Sequence, residues 1–170
     1  MQRTQKEWCS NDFNPFSMEQ LEFIIRILAA TAAGGALGLE RESNNKSAGL
    51  RTHTLVAISA CIFALISLRI VEGAEADPTR VVGQIVTGIG FLGAGVILHR
   101  GPNVQGLTTA ATIWSSAALG CLAAFGFYWE LAASTLLVIF VNTTFKKADI
   151  WFLNGRKKKK GTKNENDLFE

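Results

Sequence analysis

Asp77, Arg80 and Gln84 open an apolar run, and their spacing could do chemistry. Positions 77 and 80 are three apart, so a helix places the carboxylate and the guanidinium on one face, close enough to pair. Gln84 lies one turn deeper, where an amide costs free energy unless it finds a hydrogen-bond partner. Such a cluster at the mouth of a membrane span could receive a cation or a polar group of another span. The plainer alternative is that Asp77 caps a helix whose first position is Pro78. A second polar group, Glu40, Arg41, Arg51 and Thr52, flanks a hydrophilic stretch, and a solvated loop explains it equally well. His53 and His99 have no carboxylates spaced to complete a metal site, and no nucleophile–base pair can be assembled from neighbouring residues. No catalytic residue, metal ligand or cofactor is expected, and the chain is not expected to be an enzyme.

The element that must position Asp77, Arg80 and Gln84 carries no formal charge from Val81 to Leu98, the lower limit for a helix crossing a ~30 Å hydrocarbon core. At about 100° per residue, Arg80, Gln84, Thr87 and Phe91 share one narrow face. Gly83, Gly90 and Ala94 flank it on one side, and Gly88 and Gly95 on the other. Glycine lowers helix stability, but in a membrane small residues let backbones approach closely. The expectation is a helix in the middle of a bundle with its polar stripe inward and Gly83, Gly88, Gly90, Gly93 and Gly95 at helix contacts. Gly88 to Gly93 also spells G-x-G-x-x-G. That dinucleotide fingerprint needs a preceding strand and an acidic residue about 20 positions on, and both are missing here.

The rest of the chain repeats this pattern. Apolar residues, 48% of the 170, gather in blocks. Five predicted spans, about 18–39, 52–71, 81–98, 107–125 and 129–145, follow an N-terminal arm (1–17) and precede a basic tail (146–170). The fold class is all-α and polytopic. Gly34 and Gly38 form G-x-x-x-G, suited to close helix contact. Arg26, near the outer end of the first span, can snorkel toward headgroups. Small residues after it resemble a signal-peptide cleavage site, but Glu19 and Glu22 stand where a signal is basic. The net charge of +3 is a tail property: Arg156, Lys157 to Lys160 and Lys163 supply six positive charges, leaving the remainder net negative, so no nucleic acid is expected as a partner. Cys9, Cys61 and Cys121 show no paired spacing. Lysine and arginine concentrate in the Glu40–Leu50 loop, around Arg100 and after Phe145. That side is expected to be cytoplasmic, with the N-terminus outside.

Several motifs stand in fixed order: Glu40-Arg41; Ala48-Gly49-Leu50-Arg51-Thr52-His53; Asp77-Pro78-x-Arg80; Gln84 through Gly95; and Gly106-Leu107-Thr108-Thr109-Ala110-Ala111-x-x-Trp114. In this the chain resembles the MgtC/SapB family of bacterial inner-membrane proteins, from about Leu21 to Phe140. Gly106, Thr108, Thr109 and Trp114 enter as candidate site residues through that motif. The resemblance implies five transmembrane helices with a cytoplasmic C-terminus and a link to growth in low magnesium. It also implies a membrane protein complex such as the ATP synthase as partner. Many members carry a soluble C-terminal domain. This chain stops about 25 residues after its last span, so neither that domain's function nor virulence is carried over. The expected role is regulation of magnesium, proton or ATP balance by binding another membrane protein, in contact with the lipid bilayer and with a homo-oligomer left open. The alternative is a transporter of Mg²⁺ or another cation. Glu40, Glu72, Asp77 and Glu130 all lie at span edges, which argues against a path that strips water from Mg²⁺.

Overall fold

The computed structural model describes residues 18–71, 77, 79–100 and 103–145. Its five helices are α1 (Met18–Ser43), α2 (Leu50–Val71), α3 (Thr79–Val96), α4 (Leu107–Ala124) and α5 (residues 128–145). A short antiparallel hairpin joins α3 to α4, with β1 (Leu98–Arg100) paired to β2 (Asn103–Gln105) in the register His99 opposite Val104. Helices α1 to α4 are each long and apolar enough to cross a membrane, and α5 covers the fifth predicted span. The protein is a multi-pass α-helical membrane protein. The predicted N-terminal arm and basic tail, and residues 72–76 with Glu72, lie outside the described residues.

The core is built by α1, α2 and α4, and small side chains decide its geometry. Lipid tails are as apolar as leucine, so helices in a membrane associate by close packing and interhelical hydrogen bonds. Ala57 of α2 is fully buried between two glycines. A Cβ on Gly34 of α1 would lie 2.7 Å from the Ala57 Cβ, and one on Gly120 of α4 would lie 2.2 Å from the Ala57 carbonyl oxygen. Gly38, one turn beyond Gly34, meets the Leu50 Cα at 2.7 Å by the same measure. The G-x-x-x-G of α1 is therefore a helix contact, as expected. Ala30, Ala33, Ala60, Ala64, Ala117 and Ala123 continue the seam.

The connections follow from local chemistry. Asn45 adopts the left-handed conformation (φ 52°) after α1, and a Glu42 carboxylate oxygen accepts from the Leu50 N–H at 2.8 Å, capping α2. Gly106 has φ +93°, and a Cβ there would lie 2.3 Å from the Val96 carbonyl oxygen, so only glycine can bring the hairpin into α4. Gly126 (φ +75°) ends α4, and the Phe127 N–H reaches back to the Leu122 carbonyl at 3.1 Å.

Three expectations are corrected. Helix α1 continues to Ser43, so Glu40 and Arg41 belong to its last turns and not to a loop. The segment predicted as a loop between the third and fourth spans contains the hairpin. Helix α3 is peripheral: only Ile85 and Gly93 of it are buried, and the face bearing Arg80, Gln84, Thr87 and Phe91 is exposed, with Gln84 at a groove between α2 and α3. A Cβ on Gly93 meets the Ala110 Cβ at 3.7 Å, whereas Gly83, Gly88, Gly90 and Gly95 have nothing within 4 Å. Those four glycines make no helix contact among the described residues. Hydrophobic periodicity finds a helix but does not distinguish a lipid neighbour from a helix neighbour.

Gly120→Ala places a methyl group against backbone that cannot move aside. Overpacking of this kind costs about 1–3 kcal/mol, against the ~1 kcal/mol that alanine gains over glycine in a helix. The thermal midpoint of the detergent-solubilised protein should fall for Gly120→Ala and should hold or rise for Gly88→Ala. Equal midpoints in the two variants would mean that α2 and α4 do not meet at Ala57.

Candidate functional site

Arg41 is the largest fully buried side chain among the described residues, with 2% of its surface exposed. Its position on the last turns of α1, facing α4, follows from the close α1–α2 approach at Gly38. The guanidinium donates from Nη2 to the Thr109 hydroxyl at 3.3 Å, while Nε has no hydrogen-bond partner. Thr109 is buried in the first turn of α4, and the Ser47 hydroxyl stands 3.5 Å from the same Thr109 oxygen. Two turns along α4, Ser116 donates its hydroxyl proton to the Thr112 carbonyl at 3.1 Å. The same Ser116 hydroxyl stands 2.8 Å from His53 Nδ1, joining α4 to α2. Two polar layers thus cross the α1–α2–α4 core, Arg41–Thr109 above His53–Ser116.

Around this pair the other motif residues take different places. Glu40 accepts from the Asn44 amide at 2.6 Å and from the Asn142 amide at 3.4 Å, tying α1 to the far end of α5. Arg51 and Thr52 are exposed and line a surface depression of about 410 Å³ with Lys46 and Glu42. Thr108 is exposed, and its carbonyl accepts from the Thr112 hydroxyl at 2.6 Å. Trp114, half exposed, lines a cleft of about 330 Å³ between α3 and α4. The structure therefore brings Arg41 and Thr109 together from two separate motifs and leaves Arg51, Thr52, Thr108 and Trp114 outside the buried layers.

His53 and Ser116 were not among the sequence candidates. The signal was present: His53, Ala57, Ala60, Cys61 and Ala64 recur at helical spacing, and all are buried. The histidine continues a small-residue stripe, and such a stripe marks the inner face of α2.

At the opposite end of the bundle, Asp77 is a cap. Its carboxylate accepts from the Thr79 N–H at 2.9 Å and from the Thr79 hydroxyl at 2.7 Å, and these bonds hold its pKa below the usual carboxylate value. Asp77 forms no ion pair with Arg80 among the described residues, and Arg80 and Gln84 are exposed. The predicted cluster is thus in line on one face but unpaired. Gln84 stands at the rim of an apolar groove of about 560 Å³ between α2 and α3. Arg26, expected to snorkel, instead donates to the Ala124 carbonyl at the C-terminal end of α4 and pairs with Glu22. No group of three His, Cys, Asp or Glu side chains among the described residues is placed to hold a metal ion.

Comparison with known proteins agrees with the geometry of the motifs. The MgtC family matches residues 27–150. The chain is 43% identical over 129 residues to an uncharacterized protein, slr0014, of Synechocystis sp., covering 76% of this chain and 54% of that protein. It is 44% identical over 137 residues to the putative magnesium transporter YhiD of Escherichia coli K12, covering 74% and 63%. It is 48% identical over 120 residues to Protein MgtC of Brucella abortus, covering 71% and 50%. The chain thus spans between 50% and 63% of the length of these relatives. No solved structure matches it. The shared region contains every helix but the first turns of α1, both polar layers and the α3 stripe, and on that extent of similarity the chain belongs to the MgtC family.

Proposed function

We propose that this magnesium-related membrane protein acts as a regulator in magnesium homeostasis by binding another membrane protein, and does not itself carry the ion. One observation carries the reading: the polar and glycine-rich face of α3 is left uncovered among the described residues, with Gln84 and Gly88 lining an open groove beside α2. Phe91 on that face is 82% exposed, Gln84 has no hydrogen-bond partner among the described residues, and the flanking glycines meet nothing. Lipid offers no donor or acceptor to an amide at this depth, whereas a second helix offers both, and glycine lets it come close. The occupant that fits is a transmembrane helix of the partner carrying an amide or hydroxyl opposite Gln84. By the family resemblance, a complex such as the ATP synthase supplies such helices.

The core argues in the same direction. A cation crossing between α1, α2 and α4 would meet the Arg41 guanidinium, and Mg²⁺ requires oxygen ligands while retaining much of its water. The carboxylates nearest such a route are engaged elsewhere, Glu40 with two amides and Asp77 with Thr79. The name of the E. coli relative favours a carrier, and flux decides between the two. Purified protein in liposomes should pass no more Mg²⁺ than empty vesicles. In cells that depend on the protein for growth in low magnesium, Gly90→Leu should abolish growth and leave the thermal midpoint of the purified protein unchanged. Saturable Mg²⁺ uptake, or full growth with Gly90→Leu, would sink the regulatory reading.

The orientation proposed with it places the Arg41 end in the cytoplasm of a bacterial inner membrane, on the lysine and arginine bias. In a background without cysteines, Asn45→Cys should resist a membrane-impermeant thiol reagent in whole cells and Ala74→Cys should react. The opposite labelling pattern would invert the topology.

A further inference from the structure

The guanidinium of Arg41 has five N–H donors, and among the described residues one of them is used, in a single 3.3 Å bond to a neutral hydroxyl. Among the described residues no carboxylate comes within ion-pair distance: Glu40, its sequence neighbour, favours the charge only from further away, its carboxylate being turned to Asn44 and Asn142. A buried cation with no counter-charge in contact is among the most expensive groups a fold can hold. The helix it faces makes the cost higher. Arg41 reaches the first turn of α4, where the backbone dipole presents partial positive charge. That end of α4 is also unfilled: its N-cap is Gly106, with no side-chain cap hydrogen bond. Two features that each call for negative charge, a helix N-terminus and a 98%-buried arginine with a free Nε, therefore converge at Thr109.

We infer that the α4 N-terminus and Arg41 form a binding site for a phosphate group. The chemistry fits each part. A guanidinium edge binds two phosphate oxygens side by side, with a geometry that a lysine ammonium lacks. The first N–H groups of a helix point along the axis toward a bound anion. Ser47, exposed and 3.5 Å from the Thr109 hydroxyl, supplies a further donor. Lys46 adds positive charge at the same surface. The site lies on the last turns of α1, at the end of a helix long and apolar enough to cross a membrane, so the phosphate can belong to a phospholipid headgroup or to a free phosphate ion. It is separate from the exposed face of α3, and it stands or falls independently of how the protein acts on magnesium.

The test uses the full chain purified in detergent without phosphate. Inorganic phosphate is titrated while the thermal midpoint is followed, and phosphatidylglycerol binding is measured by native mass spectrometry. At least one probe should bind, and binding should weaken at least about tenfold in Arg41→Met. Ser47→Ala should weaken it less. Arg41→Lys keeps the charge without the fork; it serves as a second variant should Arg41→Met fail to fold, and its binding should also fall. A midpoint raised by phosphate, with displacement of the lipid, identifies the free ion. Binding of phosphatidylglycerol alone identifies a headgroup. No binding of either probe, or binding unchanged by both Arg41 variants, overturns the site.

Discussion

Everything in this bundle depends on how closely α1 and α4 approach Ala57 of α2. Gly34 on one side and Gly120 on the other leave no room for a Cβ, so the three backbones come nearly into contact. In lipid this closeness is itself the stabilisation, because packing and hydrogen bonds replace the hydrophobic effect between helices. It also explains which side chains the core accepts. Alanines fill it, and the polar groups inside it, His53 with Ser116 and Arg41 with Thr109, are paired across the same seams. A short hydroxyl on α4 can reach a ring on α2 only because the helix axes are so near.

Helix α1 is also fixed along its length. Arg26 binds the Ala124 carbonyl and Arg41 binds the Thr109 hydroxyl. The arginines are 15 positions apart, and so are their partners, which sets the two helices antiparallel and in one register. The two contacts are not equivalent. Arg26 sits at the negative end of the α4 dipole, which favours a cation, whereas Arg41 sits at the positive end, which does not. Structural need accounts for Arg26. At position 41, an apolar side chain of similar volume would hold the helices at no electrostatic cost.

Much of the fold was legible in the sequence for physical reasons. A membrane span must be long and apolar, and charges and turn residues must fall between spans, so the five helices and the α1 glycine contact could be placed directly. Burial order could not. Sequence periodicity put the polar stripe of α3 inward, since an amide in lipid is costly, and among the described residues that stripe is exposed. Arg41 misled in the opposite direction. Beside Glu40, Glu42 and Asn44 it looked like part of a solvated loop, yet α1 runs on and carries it under α4. Short-range composition describes a segment, whereas burial depends on which helix happens to cover it.

The two departures from good packing, a buried cation with no carboxylate in contact and an exposed polar stripe, sit on elements that touch. Thr109 faces Arg41, and the next residue on α4, Ala110, meets Gly93 of α3 at 3.7 Å from where a Cβ would stand. The Gly106 approach to Val96 fixes the start of α4 against the end of α3 through a contact that only glycine allows. The first turn of α4 is therefore wedged between the buried arginine and the glycine helix. Any rearrangement that gives Arg41 a counter-charge must either leave this turn in place or carry the end of α3 with it, because close-packed helices shift as bodies and do not deform smoothly.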